Sequence, residues 1–311
     1  MMQTNNTPRG WLAFELNVLK RLKFTTAALP FTSDANLGAY LKRWRVRVLA
    51  NDLTLAGWTK AAAAIQNNSE RLSDDDVNIV LEDAYVPRYR LQNQSLRNWF
   101  GETDAWWFDN VRQNIERLPS PTAKAIALTT ALNVGDYVLS FTDDTLELRQ
   151  PLSNVFRRLL SALHDPVNNG QNNTCSNKNA NDFIAGNFAS DLMFLRLPRA
   201  HNLSQRNYLG WTAWREEFLR GGDDFWSDLE SRQAGKLGAL IETKSQYLRL
   251  LEEILETALH IKTWAVAHVE DGYISTHDIV ETIGRTKRRV DTIYTKDFSE
   301  LTGTKAVIIT A

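Results

Sequence analysis

A chain of 311 residues, 43 % hydrophobic and 23 % charged, has the balance of a soluble globular protein and the length for one large domain or a core carrying an insertion. A formal net charge of −1 excludes a global field for holding a polyanion, so nucleic-acid contact would have to come from local patches. One cysteine, Cys175, excludes an intramolecular disulfide framework and a multi-cysteine zinc site. No apolar run approaches the ~20 residues of a membrane span. The start, "MMQTNNTPRGW", lacks the cationic and apolar stretches of a signal peptide. The expectation is a cytoplasmic protein with no membrane partner.

In chain order, "GWLAFELNVLKRLKF" (10–24) carries apolar residues largely at helical spacing. "TTAALPF" (25–31) predicts a first strand, "NLGAYLKRW" (36–44) a short helix and "RVRVLAND" (45–52) a second strand. "LAGWTKAAAAIQNNSERL" (55–72) is Ala-rich and helical. Strand, helix, strand, helix in that order predicts a parallel α/β unit. Helical periodicity then dominates 76–165, where "SPTAK" supplies a helix start at Ser120-Pro121 and "LSNVFRRLLSALHD" (152–165) continues the pattern.

The Asn-rich segment 166–183 reads as a connection back to the sheet. "DLMFL" (191–195) predicts a buried strand, and "WTAWREEFL" (211–219) a helix. The leucines of 235–260 predict one long helix. "TWAVAHV" (263–269) and "KAVIITA" (305–311) predict strands, with a helix over 275–284 capped by Thr276. The domain expectation is an α/β core of 24–75 and 172–311 interrupted by a helical insertion at 76–171.

With these segments in place, the order resembles the Dam-like adenine-N6 DNA methyltransferases, the class with an Asp-Pro-Pro-Tyr motif. The resemblance runs from the first strand to the end and rests on the collinear order of individually weak matches. "LPFTSDANLG" lies where that family has its glycine-rich cofactor loop, "AND" where it has the acid after the next strand, and "SDLMFLRLPR" where it has the catalytic strand. It implies a Rossmann-like methyltransferase sheet with a helical insertion, S-adenosylmethionine as cofactor and DNA as partner. The cofactor positions it implies are Pro30, Phe31, Ser33, Ala35, Gly38 and Asp52, the last as acceptor from the ribose hydroxyls.

The two motifs that carry the chemistry depart from the family. Leu29 stands in the place of the loop's acid, and Ser33 and Ala35 stand where the family has glycines, so a turn needing φ > 0 becomes costly. The Asp-Pro-Pro-Tyr position reads Arg196, Leu197, Pro198, Arg199. Methylating an adenine amino group requires an acceptor facing that nitrogen and a ring stacked on the flipped base. Arginine offers five donors and no acceptor. Its charge at ~5 Å from a sulfonium, with an effective dielectric of ~20, repels by roughly 3 kcal/mol.

The resemblance therefore implies a catalytically degenerate member, a pseudoenzyme acting as a DNA-binding or protein-partner subunit in a restriction–modification or phage-defence setting. The alternative is an active adenine-specific enzyme with an atypical site using Asp191 or Asp52; Asp191 begins its strand, ~13 Å from the catalytic end. If Arg196 is buried it needs a carboxylate, with Asp34 and Asp52 as candidates. Among basic stretches, 86–99 ("VPRYRLQNQSLRNW") mixes cations, amides and aromatics and is the best placed to touch DNA, ahead of Arg43, Arg45 and Arg47 or Arg285, Lys287, Arg288 and Arg289. Trp106-Trp107 reads as core, and the histidines lack metal-ligand spacing, so no metal is expected.

Overall fold

The computed structural model describes residues 10–270, 272–299 and 303–311; the leader expectation at residues 1–9 lies outside them. The apolar runs form a seven-stranded sheet of order β3-β2-β1-β4-β5-β7-β6. Its strands are β1 (Thr26–Leu29), β2 (Arg47–Asn51), β3 (Thr174–Ser176), β4 (Leu192–Arg196), β5 (Thr263–Glu270), β6 (Thr292–Phe298) and β7 (Thr304–Thr310). The β3-β2-β1-β4-β5 pairs are parallel, and β7 runs antiparallel between β5 and β6. The architecture is thus α/β with a mixed sheet.

Strand periodicity sorts the central residues onto two faces. Met193 and Leu195 pack with α8 (Ala180–Ala185), α12 (Lys244–Thr257) and α13 (Thr276–Arg285). Leu192 and Phe194 face the other side, with α1 (Trp11–Leu19) and α2 (Asn36–Arg43). Burial on both faces explains why β4 reads as a continuous apolar run. Each such Phe or Leu contributes roughly 1.5–3 kcal/mol by leaving water.

The insertion builds a separate helical core from α4 (Asp74–Leu81), α5 (Glu102–Ile115), α6 (Pro121–Val138) and α7 (Leu152–Ser161). Trp107 and Phe108 meet edge to face at its centre, fully buried. Ser120 caps α6, accepting from the Ala123 amide, with Pro121 at the first helical position. One later helix joins this core: Trp214 and Phe218 of α10 (Ala213–Arg220) pack within it, Trp214 against Gly135 of α6.

Several predicted elements are corrected. The helix over 55–72 is α3 (Leu55–Ala61) followed by a π-helical turn, Ala62–Gln66, and stops there. The long helix over 235–260 begins only at Lys244, because Gly235 and Gly238 adopt positive φ. Its capping neighbour differs too: α13 is capped by Ser275 rather than Thr276, in a reciprocal box with Asp278. Cys175 lies in β3 rather than in a loop, opposite Ala50. Edge strand β6 was not anticipated, since its residues are mostly exposed.

Candidate functional site

The strand order reverses between β1 and β4, and in such sheets the crevice at the carboxyl ends is the natural place for a ligand. A cleft of about 470 Å³ opens there, between the ends of β1, β2, β4 and β5 and the segment around α9 (Gln205–Leu209). Phe31, Ser33, Asp52, Arg196, Leu197, Pro198 and Arg199 all line it. Pro30 is buried beside it, its carbonyl accepting from the Asn51 side-chain amide at 3.0 Å.

The loop after β1 is fastened to the end of β2. The Thr32 amide and hydroxyl both donate to the Asn51 carbonyl, at 3.0 and 2.9 Å. The Ser33 amide donates to Asp52 Oδ2 at 2.6 Å, and Ser33 takes φ +50°, the left-handed conformation anticipated where the resembled family has glycine. Asp52 Oδ1 accepts from the Thr54 amide and hydroxyl, at 2.9 and 2.6 Å. Gly57 of α3 packs so closely behind that a Cβ there would stand 2.3 Å from the Asp52 carboxyl carbon. Burial pushes the Asp52 carboxyl up, and these hydrogen bonds pull against it.

Arg196 ends β4 with its side chain 14 % exposed. Its Nε and Nη2 donate to the two oxygens of Glu15 at 3.0 and 2.8 Å, a bidentate pair. Nη1 donates to Ser33 Oγ at 2.9 Å and approaches the Thr32 carbonyl at 3.4 Å and Asp34 Oδ2 at 3.5 Å. Asp34 was an expected partner; Asp52 is not a contact, and the principal partner is Glu15, a residue the sequence reading did not single out. Glu15 sits on α1 with no exposed surface and also accepts from the Trp11 indole. Burial pushes its carboxyl above the usual range, with the Arg196 charge drawing it back. An acid four residues from Trp11 and four from Leu19, on the apolar face of a helix, was the available signal.

The rest of the motif is divided between frame and cleft. The Leu197 amide continues the ladder to the Ala267 carbonyl at 2.8 Å, and the Pro198 carbonyl accepts from Tyr247 at 2.9 Å. Arg199 lines the cleft and is in no ion pair among the described residues. Two cofactor candidates lie elsewhere. Ala35 precedes α2 and lines a different cavity. Gly38 is a packing glycine: a Cβ there would stand 2.3 Å from the Ile65 Cδ1.

Further charged groups line the cleft without a sequence signal, Glu216 and Lys60 among them. Glu216 of α10 is buried and accepts from the Leu55 and Ala56 amides at 3.1 and 2.8 Å, capping the start of α3. Burial pushes its carboxyl up. Lys60 of α3 is held down to about 8 by burial. Asp191 lies at the opposite end of the sheet, where its Oδ2 accepts from the Thr25 hydroxyl and amide, at 2.6 and 2.9 Å, and from the Thr26 amide.

S-adenosylmethionine, the cofactor implied by the resemblance, does not fit this donor set. The acid that would accept from the ribose hydroxyls already accepts from Ser33 and Thr54. The Arg196 guanidinium lines the same cleft, and its charge would repel a sulfonium brought into it. No family model matches the chain, and no curated protein is similar enough in sequence to be paired with it.

Proposed function

We propose that this chain is a non-catalytic protein built on a methyltransferase-type sheet, and that it works by binding DNA. The observation that carries the reading is the Arg196 network: the position of the catalytic acid holds a cation whose donors are committed to Glu15, Ser33, Thr32 and Asp34. The strand order, with an antiparallel β7 between β5 and β6, supports the same fold reading. Asp191 and Asp52, the acids an atypical enzyme would use, both serve neighbouring amides and hydroxyls.

The DNA half of the proposal rests on the loop within 86–99. Arg88, Tyr89 and Arg90 are consecutive and exposed, with Tyr89 wholly in solvent. Among the described residues, only Arg88 of these reaches another side chain, donating to Gln113 at 2.6 Å. A free ring between two cations suits a backbone contact with base stacking, worth ~1–3 kcal/mol per stacked base. Each of the two other basic runs has members engaged internally. Arg47 donates to the Asn172 carbonyl, Arg285 pairs with Glu281 and Glu252, and Arg288 lies over Trp264.

The test has two parts. Calorimetry with S-adenosylmethionine should give no saturable heat, and unmodified duplex DNA should acquire no methyl group. Duplex binding should weaken with rising salt, and binding of single-stranded DNA should fall about tenfold or more in Tyr89→Ala. Micromolar cofactor affinity or methyl transfer would defeat the non-catalytic reading; duplex affinity that is absent, or indifferent to salt, would defeat the DNA reading.

A further inference from the structure

A second cavity, of about 730 Å³, lies between the sheet domain and the helical insertion, walled by α2, the π-helical turn, α6 and α7. Its size falls in the range of small-molecule sites. Its floor is made of small side chains, Ala35, Ala39, Ala63 and Ala64, which leave the backbone open to a ligand. The π-helical turn belongs to this floor, and such turns recur at functional sites.

Four cations line it without a carboxylate partner among the described residues: Lys42, Arg43, Lys60 and Arg157. Lys42 is 1 % exposed, and its ammonium donates to the Asn67 carbonyl, one acceptor for three donors. Arg43 lies over the Tyr40 ring, and Arg157 donates to the Asn78 side chain at 3.1 Å. Of the acids present, two face cations and two, Glu70 and Asp74, keep their charge, which leaves the four cations in excess. Asp165 pairs with Arg71 at 2.7 Å, Glu70 accepts from Ser120, and Asp34 faces Arg196. Asp74 is exposed at the first turn of α4. His164 adds a further titratable group at the rim.

An ammonium as buried as that of Lys42 is costly unless a counter-charge meets it. Burial holds both Lys42 and Lys60 down to about 8, the condition an anion in the cavity would relieve. Asn36, Thr129 and Asn133 supply neutral polar groups on the same walls.

We infer that this cavity binds a small phosphorylated anion of the diphosphate class, held by Lys60, Arg43 and Arg157, with the charge of the buried Lys42 behind them. Two or more unpaired cations around one volume match a ligand with at least two negative charges, and lysine is a standard phosphate partner. The inference is independent of the DNA reading, since the exposed 86–90 loop is not among the residues of this cavity.

The test is calorimetry of the full chain with pyrophosphate, and in parallel with ADP, which separates a bare diphosphate from a nucleotide. Saturable binding of either is expected, weakening with salt. Arg157→Gln, at a partly exposed position that should fold normally, should weaken it about tenfold or more. Ala63→Leu, which fills the floor, should abolish it. Lys42→Met should do the same but removes a bond to the Asn67 carbonyl, so the first two variants carry the decision if it fails to fold. No saturable heat at millimolar pyrophosphate and ADP would overturn the inference. So would undiminished binding in Arg157→Gln and Ala63→Leu, or a loss confined to Arg199→Gln, which would assign the anion to the other cleft.

Discussion

Arg196→Met removes one half of a pair whose other half, Glu15, has no exposed surface. Breaking a buried pair by deleting one partner costs about 3–5 kcal/mol, because the remaining charge is left without compensation. Unfolding entropy of about 2.1 cal/mol/K per residue over 311 residues makes that a fall in Tm of roughly 5–8 °C. The deficit should depend on pH with a definite sign. Burial already raises the Glu15 carboxyl above its ordinary 4.5, and loss of the Arg196 charge raises it further. A raised acid binds more protons folded than unfolded, so its stabilisation is present below the unfolded value and lost as pH rises through the folded one. The variant should therefore lie closest to the parent near about pH 5 and furthest below it near about pH 8. Denaturant melts of the parent, Arg196→Met, Glu15→Gln and the double variant complete a cycle, with an expected coupling of about 2 kcal/mol or more. Coupling under about 0.5 kcal/mol, or a deficit that is flat with pH, would refute the pairing argument.

Gly135→Ala would place a Cβ about 2.1 Å from the fully buried Trp214 ring, overpacking the joint between α6 and α10. A loss of ~1–3 kcal/mol is expected in chemical denaturation, and an unchanged midpoint would contradict that packing. Burial tends to raise the carboxyl of Asp278, but Lys244 and the Ser275 hydroxyl and amide together hold it down to about 2. As a depressed acid it stabilises above the unfolded 3.8, by roughly 2 kcal/mol, and that share is lost as pH falls through about 2. Asp278→Asn should accordingly flatten acid-limb melts between those values, and an identical acid limb would count against the assignment. Cys175, whose thiol burial pushes up to about 12, should react with iodoacetamide at least about a hundredfold more slowly in the folded chain than in denaturant at mildly alkaline pH. Equal rates would show an accessible thiolate.

The parts of this fold that can be read from the residues are those where one physical requirement dominates. Leu192, Met193, Phe194 and Leu195 are buried on both faces, so their run has no competing reading. Ser120-Pro121 sets a helix start by local chemistry alone. Where two requirements compete, the sequence is ambiguous. The leucine spacing of 235–260 favours a helix, but Gly235 and Gly238 take φ of +71° and +93°, and the helix waits for the Thr243 cap. Edge strand β6 offers few buried residues to mark it, and β3 spans three residues in an Asn-rich segment. Asp52 and Arg196 were legible as residues lining the cleft because strand ends are predictable places. Glu15 was not, because its role depends on α1 packing over the sheet, a contact between residues 181 positions apart.

Ser33 and Arg196, two of the residues that differ from the resembled family's pattern, belong to one network. Ser33 holds a left-handed turn, its amide fixed by Asp52 and its hydroxyl accepting from Arg196. Arg196 in turn neutralises Glu15 and draws in Asp34. An acid at this position, as in Arg196→Asp, would set a new carboxylate beside Glu15 and Asp34 with no cation between them. Like charges at such separations repel by several kcal/mol even at an effective dielectric of 20. An acid at that single position is therefore opposed by the surrounding residues, Glu15 above all. The cation at the end of β4 is thus a structural element of this site, and its removal disturbs α1 and the β1 loop.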